Sequence, residues 1–250
     1  MDISIITFTL GGRSRYLFTC LDSVYNDTYY QSNDNNIKIE HHLIFQGVIP
    51  EEGIMQCLNT YKESNCYKLI IHTWEKNIGI GAGLNKIIPQ CSGSLILKLD
   101  DDAEIISKDF FSRALFISKK YPTAIFSPQP TGLINNMAGP PGHSRSIIYD
   151  ENIDKYFTLR NVSHVGGFAR FSPRSIFNSF TFPNDLIKGI SGTEDGNLSQ
   201  YALQNNIPMF YVETGMVVEH NESILGQQTR YPEYFKDREG DKDTFKKWIK

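Results

Sequence analysis

Strand-like apolar runs and amphipathic, helix-like stretches alternate through the first part of this chain, a pattern that specifies a mostly parallel sheet flanked by helices. Ile3 to Thr9 reads as a strand, and Leu17, Leu21 and Val24 then mark one face of a helix. Ile37 to Phe45 reads as a second strand, followed by a helix carrying Ile54, Leu58 and Tyr61. Tyr67 to His72 makes a third strand, and Ile80, Leu84, Ile87 and Ile88 recur at helical spacing. The fourth run, Leu95-Ile96-Leu97-Lys98-Leu99, ends on Asp100-Asp101-Asp102. Open α/β sheets bind ligands beyond the carboxyl ends of their strands, so the triplet stands where a site is expected.

A strand has no use for three like charges at its tip, where mutual repulsion and lost hydration both oppose folding; a neutralising cation resolves the conflict. Along an extended segment Asp100 and Asp102 project to one side and Asp101 to the other, so two carboxylates can grip one ion. Hard oxygen ligands favour Mg2+ or Mn2+, which keep positions open for water and for the phosphates of a substrate. The bland alternative is a solvated acidic turn. A calcium loop of the EF-hand type fits poorly, because Ile105 stands where that loop requires glycine.

At 250 residues the chain can bury a substantial core, and its net charge of -3 gives no electrostatic reason to expect nucleic acid. Cys20, Cys57, Cys66 and Cys91 form no CxxC pair, so their spacing supports neither a zinc knuckle nor a disulfide framework. The start, Met1-Asp2-Ile3-Ser4-Ile5-Ile6-Thr7, has neither the basic residues nor the long apolar stretch of a signal peptide, and no run approaches the ~20 apolar residues that span a bilayer. The expectation is a cytoplasmic protein, soluble or peripheral at a membrane.

The second half has a different texture. Residues 128 to 145 are rich in Gly, Pro and Asn and read as a functional loop able to close over a ligand. Asn161 to Phe171 reads as a strand, with Ser172-Pro173 starting a helix after it. Thr193 precedes a helix in which Leu198, Tyr201 and Ala202 share a face. Met209 to Val212 and Met216 to Val218 read as two short strands, the second leading into Glu219-His220. The charged tail from 233 to 250 holds Phe235, Phe245, Trp248 and Ile249. It reads as a solvated helix packing a few aromatics on the body, or as a weak membrane-surface contact.

Residues 77 to 85, Asn77-Ile78-Gly79-Ile80-Gly81-Ala82-Gly83-Leu84-Asn85, are the second chemical signal. The third glycine falls one place early for a dinucleotide fingerprint, and no GxxxxGK[ST] phosphate loop occurs, which disfavours Rossmann oxidoreductases and P-loop enzymes. Glycines at a helix start still let the backbone come close to a ligand or to a neighbouring strand.

In order, Ile3-Ser4-Ile5-Ile6-Thr7-Phe8-Thr9, then Asn77-x-Gly79-x-x-x-Gly83-x-Asn85, then Asp100-Asp101-Asp102, then Gly192-Thr193-Glu194-Asp195 with Leu198, resemble the family 2 glycosyltransferases of GT-A fold across roughly residues 3 to 220. The resemblance implies an α/β, GT-A (Rossmann-like) architecture with a smaller acceptor-side region in the second half. It also implies one domain over 1–232, with 1–105 binding the nucleotide sugar, 106–232 facing the acceptor, and 233–250 a tail. Asp100 and Asp102 are implied to bind metal and nucleotide sugar, with Asp101 acting less directly and Thr7, Thr9, Asn77, Gly79 and Asn85 on the donor side. His220 resembles the late histidine that completes such a metal site. The pair Glu194 and Asp195 is implied near the acceptor, with Asp195 as base and Glu194 orienting it or binding acceptor. His164, before Gly166-Gly167-Phe168, falls in a segment like the family's acceptor-side glycine stretch and helps shape the sugar pocket.

Two departures concern the donor. Where the family usually ends its second strand on an aspartate, this chain has Gln46, which could hydrogen-bond a nucleobase in its place. After the first strand comes Thr9-Leu10-Gly11-Gly12-Arg13, whose arginine either faces the diphosphate or is solvated. The expected activity is transfer of a sugar from a nucleoside diphosphate, UDP-linked, to a glycan or lipid-linked acceptor with Mn2+ or Mg2+, inverting by direct displacement, as in polysaccharide biosynthesis. The competing expectations are a nucleotidyltransferase that makes sugar nucleotides, which this chain disfavours by lacking a Gly-rich Arg/Lys loop after the first strand, and a catalytically silent glycan-binding domain.

Overall fold

In the computed structural model β1 (Ile3–Thr9) is buried along almost its whole length, as a central strand covered on both faces must be. It pairs in parallel with β2 (Ile39–Gln46) on one side and with β4 (Leu95–Leu99) on the other, and β3 (Tyr67–Trp74) adds in parallel to β2. Helices α1 (Ser14–Asn35), α2 (Glu52–Leu58) and α3 (Ile80–Ile87) make the crossovers. The chain therefore runs outward from β1 to β3 and returns to lay β4 on the opposite side of β1. The switch in strand order falls between β1 and β4, whose carboxyl ends carry Arg13 and the aspartates. The structure describes residues 1–35, 37–61, 64–131, 144–151, 154–183 and 194–221.

The second half extends the same sheet with antiparallel neighbours. Its strands are β5 (Ala103–Ile105), β6 (Ile125–Thr131), β7 (Arg145–Asp150), β8 (Lys155–Asn161), β9 (Ala169–Pro173) and β10 (Met209–His220), with α4 (Phe110–Lys120) and α5 (Glu194–Gln204) between them. Sheet order is β3-β2-β1-β4-β9-β6-β10-β8-β7, with β5 paired antiparallel to β10 off this path. Side-chain alternation divides the core between the two faces. Ile5 packs with Cys20 and Val24 of α1 and Phe110 of α4, whereas Ile6 packs with Leu84 and Ile87 of α3 and Leu198 of α5. Phe126 and Phe171 stack with ring centroids 4.9 Å apart where β6 meets β9.

Local structure in this half differs from the sequence reading in three places. The run expected as one strand from Asn161 to Phe171 is two, because backbone donors in the intervening connection go elsewhere: Val162 N to Met209 O, Gly166 N to the Tyr211 hydroxyl, and Gly167 N to Asp195. Ser172-Pro173 ends β9 and leads into a short 3-10 turn, Arg174–Asn178, instead of starting an α-helix. The two short strands expected near the end are one, β10, with a shift in register between Val212 and Val217 that includes Gly215 at a φ of 85°. The chain from 132 to 143, Gly192, Thr193 and the tail from 233 lie outside the described residues. Among the described residues no helix is long and apolar enough to cross a membrane.

Close approach of backbones constrains the amino end of β4. A Cβ on Gly93 would lie 2.5 Å from Ser4 N and 2.6 Å from Ile3 C, both of them backbone atoms of β1 that cannot rotate away. Gly93→Ala is therefore expected to lower stability by at least about 1–3 kcal/mol, seen in urea as a lower midpoint at unchanged slope. A midpoint equal to wild type would mean that β1 and β4 can separate there without loss.

Candidate functional site

The chain does not continue extended through the triplet. Ala103 N donates to Asp100 O at 3.2 Å, closing a tight turn, and Asp100 N donates to Phe168 O at 2.8 Å. Simple alternation accordingly does not hold for Asp101, which faces inward and is 1% exposed. It shares one partner with Asp102: Arg13 Nη1 donates to Asp102 Oδ2 at 2.8 Å, and Arg13 Nη2 pairs with Asp101 Oδ1. The Thr9 hydroxyl also hydrogen-bonds Asp101. Burial pushes the Asp101 carboxyl up to about 7; the Arg13 guanidinium opposes the rise, and the charges of Asp102 and Asp100 add to it.

The third ligand-type side chain arrives on β10. Pairing of β10 with β5 sets His220 opposite Ala103, and Asn221 N donates to Asp102 O at 2.8 Å. His220 Nε2 stands 3.5 Å from Asp102 Oδ2. Ligand atoms of Asp100, Asp102 and His220 all lie within 4.8 Å of one another, a set of two hard oxygens and one imidazole nitrogen suited to Mn2+ or Mg2+.

Beside this cluster stands the acid pair at the start of α5. Arg170 Nη1 donates to Asp195 Oδ1 at 2.5 Å and Gly167 N to Asp195 Oδ2 at 2.8 Å. A Cβ on Gly167 would fall 2.0 Å from Asp195 Oδ1, so only glycine lets the carboxylate sit there. Glu194 is 6% exposed, and its Oε2 has no hydrogen-bond partner among the described residues. Burial and the Asp195 charge push the Glu194 carboxyl up, against the pull of Lys98 and Arg170.

Lys98 links the two groups. It is 5% exposed and ion-pairs with Asp100, while Glu194 and Asp195 also act on its charge. Burial opposes that charge, but the three carboxylates outweigh it and hold the ammonium above its ordinary range. Lys98 is also the cross-strand partner of Arg170, so one rung of β4 and β9 carries a cation for Asp100 and a cation for Asp195. Neither residue was singled out in the sequence; the available signal was a charge inside an apolar strand, in Leu95-Ile96-Leu97-Lys98-Leu99 and in Phe168-Ala169-Arg170-Phe171.

The remaining sequence candidates lie on β1, on β2, in the turn into α3, on α3 and in the connection before β9. Thr7 is fully buried, with its hydroxyl 2.9 Å from His41 Nε2, whose Nδ1 is 3.1 Å from the Tyr67 hydroxyl. Gln46 Oε1 accepts from Ile78 N at 3.2 Å, and Asn77 Oδ1 accepts from Gly79 N at 2.9 Å, which shapes the turn into α3. Asn85 binds both backbone groups of Phe182, donating to its O at 2.8 Å and accepting from its N at 2.9 Å. His164 is exposed on the connection ahead of Gly166-Gly167.

No protein-family model and no curated protein matches the sequence. Solved structures do match the fold. A crystal structure of S. aureus TarS 1-349 superposes with a TM-score of 0.63 at 16% identity, over 88% of this chain and 60% of that one. GalNAc-T7, crystallised with UDP, GalNAc and Mn2+, gives 0.66 at 14% identity over 90% of this chain and 45% of that one. Mannosyltransferase PcManGT from Pyrobaculum calidifontis, in complex with GDP-Man and Mn2+, gives 0.60 at 12% identity over 92% and 59%. This chain thus spans about half to three-fifths of the length of these three, and it shares with them the GT-A fold.

The burial of Asp101 has a measurable consequence. Its raised folded-state value means that the native chain keeps a proton which the unfolded chain, with an ordinary aspartate near 3.9, has already lost. Without divalent metal, the Asp101 contribution to stability should fall as pH rises from about 4 to about 7. Chemical denaturation of wild type and Asp101→Asn across that window is expected to show the wild type losing stability relative to the variant. Parallel curves would contradict the assignment.

Proposed function

We propose that this chain is a metal-dependent glycosyltransferase that takes a sugar from a nucleoside diphosphate donor and inverts at the anomeric carbon. The observation that carries the proposal is the convergence of Asp100, Asp102 and His220 at the sheet's switch point, with Lys98 paired to Asp100 and within the electrostatic reach of Glu194 and Asp195. Residues 1–105 supply the donor side in this reading and residues 106–232 the acceptor side. The donor is read as UDP-linked and the acceptor as a glycan or lipid-linked sugar.

Asp100, Asp102 and His220 would hold Mn2+ or Mg2+, whose chemistry is to neutralise charge on the departing diphosphate. Arg13 fixes Asp101 and Asp102 in place beneath that position. Asp195 is the base. Among the described residues each of its oxygens meets one partner, Arg170 or Gly167 N, so a further lone pair can take the acceptor hydroxyl. As the hydroxyl proton passes to Asp195, the acceptor oxygen bonds to the anomeric carbon and the bond from that carbon to the diphosphate oxygen breaks, its electron pair leaving with the nucleoside diphosphate. Glu194, whose buried Oε2 has no hydrogen-bond partner among the described residues, lies next to this base and orients the acceptor.

The test combines binding with turnover. A thermal-shift panel of nucleotide sugars should give a rise in melting temperature for one donor in the presence of Mn2+, reduced or lost in His220→Ala. Asp195→Asn should keep that shift while transfer falls by about 10²–10⁴, the usual contribution of a general base. Unchanged transfer in Asp195→Asn would remove the base assignment. Binding of a nucleotide sugar without transfer would favour a silent glycan-binding domain, and pyrophosphate release from a nucleoside triphosphate would favour the nucleotidyltransferase.

A further inference from the structure

At the opposite end of β4 from the aspartates, a second cluster of ligand-type side chains is closed inside the molecule. Glu40 and His42 come from β2, and Cys91 follows the 3-10 turn Ile88–Gln90 just before β4. They are 6%, 2% and 2% exposed, and their ligand atoms lie within 4.8 Å of one another. We infer that Glu40, His42 and Cys91 form a second metal centre, selective for a thiophilic divalent cation of the Zn2+ class.

Three observations support the assignment. The first is a separation: His42 Nε2 and Glu40 Oε1 are 3.6 Å apart, too far for a hydrogen bond. Two ligands at about 2.0–2.2 Å from one tetrahedral zinc stand about 3.3–3.6 Å apart, so the gap has the width of a shared ion. The second is an orphan. Among the described residues His42 Nε2 is buried without a hydrogen-bond partner, while Nδ1 lies 3.0 Å from His72 Nε2 with the two ring planes within 16° of each other. With the imidazole proton on Nδ1 and donated to His72, Nε2 turns a lone pair toward the Glu40 carboxylate, an arrangement that an intervening cation makes favourable. The third is support from behind. Among the described residues Glu40 Oε1 accepts from the Ser4 hydroxyl and from Ser92 N, both at 2.5 Å, and Oε2 accepts from the Ser92 hydroxyl alone, at 2.8 Å; these bonds orient the carboxylate as outer partners orient a ligand and leave Oε2 with a lone pair for the ion.

Burial and charge act on the three ligands in different directions. Burial lowers His42, against the pull of the Glu40 carboxylate, and so favours the neutral ring. Burial opposes ionisation of Glu40, but its hydrogen bonds from Ser4 and Ser92 prevail and hold the carboxyl below its ordinary value. Burial, with the Glu40 charge, pushes the Cys91 thiol up to about 12, so binding of the ion must release the thiol proton to solvent. The sulfur also separates this centre from the one formed by Asp100, Asp102 and His220, whose ligands are oxygen and nitrogen alone. Its position at the amino end of the strands, away from the sheet's switch point, suits a clamp on β1, β2 and β4.

Co2+ added to the full chain is the test, because thiolate ligation gives a near-ultraviolet charge-transfer band that an oxygen and nitrogen site cannot give. Wild type should develop this band and lose it when Zn2+ is added. The band should persist in Asp102→Asn and vanish in Cys91→Ser, although three other cysteines remain. If Cys91→Ser does not fold, His72→Ala serves in its place: loss of the outer partner should weaken metal affinity by about 10–100-fold. No charge-transfer band in wild type, or a band unchanged in Cys91→Ser and His72→Ala, overturns the inference. Neither result depends on glycosyl transfer.

Discussion

Three carboxylates at the carboxyl edge of a buried sheet can fold only if cations meet them, and the placement of those cations organises the centre of this molecule. Asp101 and Asp102 are almost completely removed from water, where two unpaired charges would be strongly unfavourable. Arg13, at the end of the β1 loop, meets both, and Lys98, two residues upstream on β4, meets Asp100. The arginine comes from the loop after β1, the strand beside β4, so the carboxylates also fix how that loop lies against the β4 turn. Burial leaves the Asp101 carboxyl well above the ordinary aspartate range despite this pairing, which marks a site whose acidity is set by its fold.

The antiparallel half is attached through the same charges. β9 lies beside β4 so that Arg170 faces Lys98, and Arg170 then meets Asp195 at the start of α5. β10 returns to β5, the short strand that follows the triplet, and this brings His220 to Asp102. Two glycines make the approach possible in different ways. Gly167 leaves room for the Asp195 carboxylate, and Gly93 lets β4 start against the β1 backbone. The proposed donor and acceptor chemistry thus share one rung of the sheet.

Much of the first half could be read locally. Ile3 to Thr9, Leu95 to Leu99 and the helical spacing of Ile80, Leu84 and Ile87 each carry their periodicity within a few residues, because side-chain direction repeats every two residues in a strand and about every 3.6 in a helix. The break between 161 and 169 has no local signal, because backbone donors of Val162, Gly166 and Gly167 go to Met209, Tyr211 and Asp195, acceptors that no local window contains. The direction of Arg13 has no local signal, since a glycine-rich loop does not say where its arginine points. Thr7 and Asn85 lie in motif-like positions, yet their polar groups are engaged by His41 and by the Phe182 backbone.

What the amino-acid order settled by itself is the alternation of elements, the parallel first sheet and the position of an acidic turn at its edge, all consequences of short-range periodicity and of like charges placed side by side. What only the tertiary structure decided is which groups attend that turn. Arg13 meets Asp102 across 89 positions in the sequence, and Arg170 meets Asp195 across 25. His220 reaches the turn only because β10 bends at Gly215 and pairs with β5. The same holds at the far end of β4, where Glu40 and Ser92 are 52 residues apart. Contacts over such separations depend on strand order and register, which follow from packing both faces of one sheet and leave no periodic trace in the sequence.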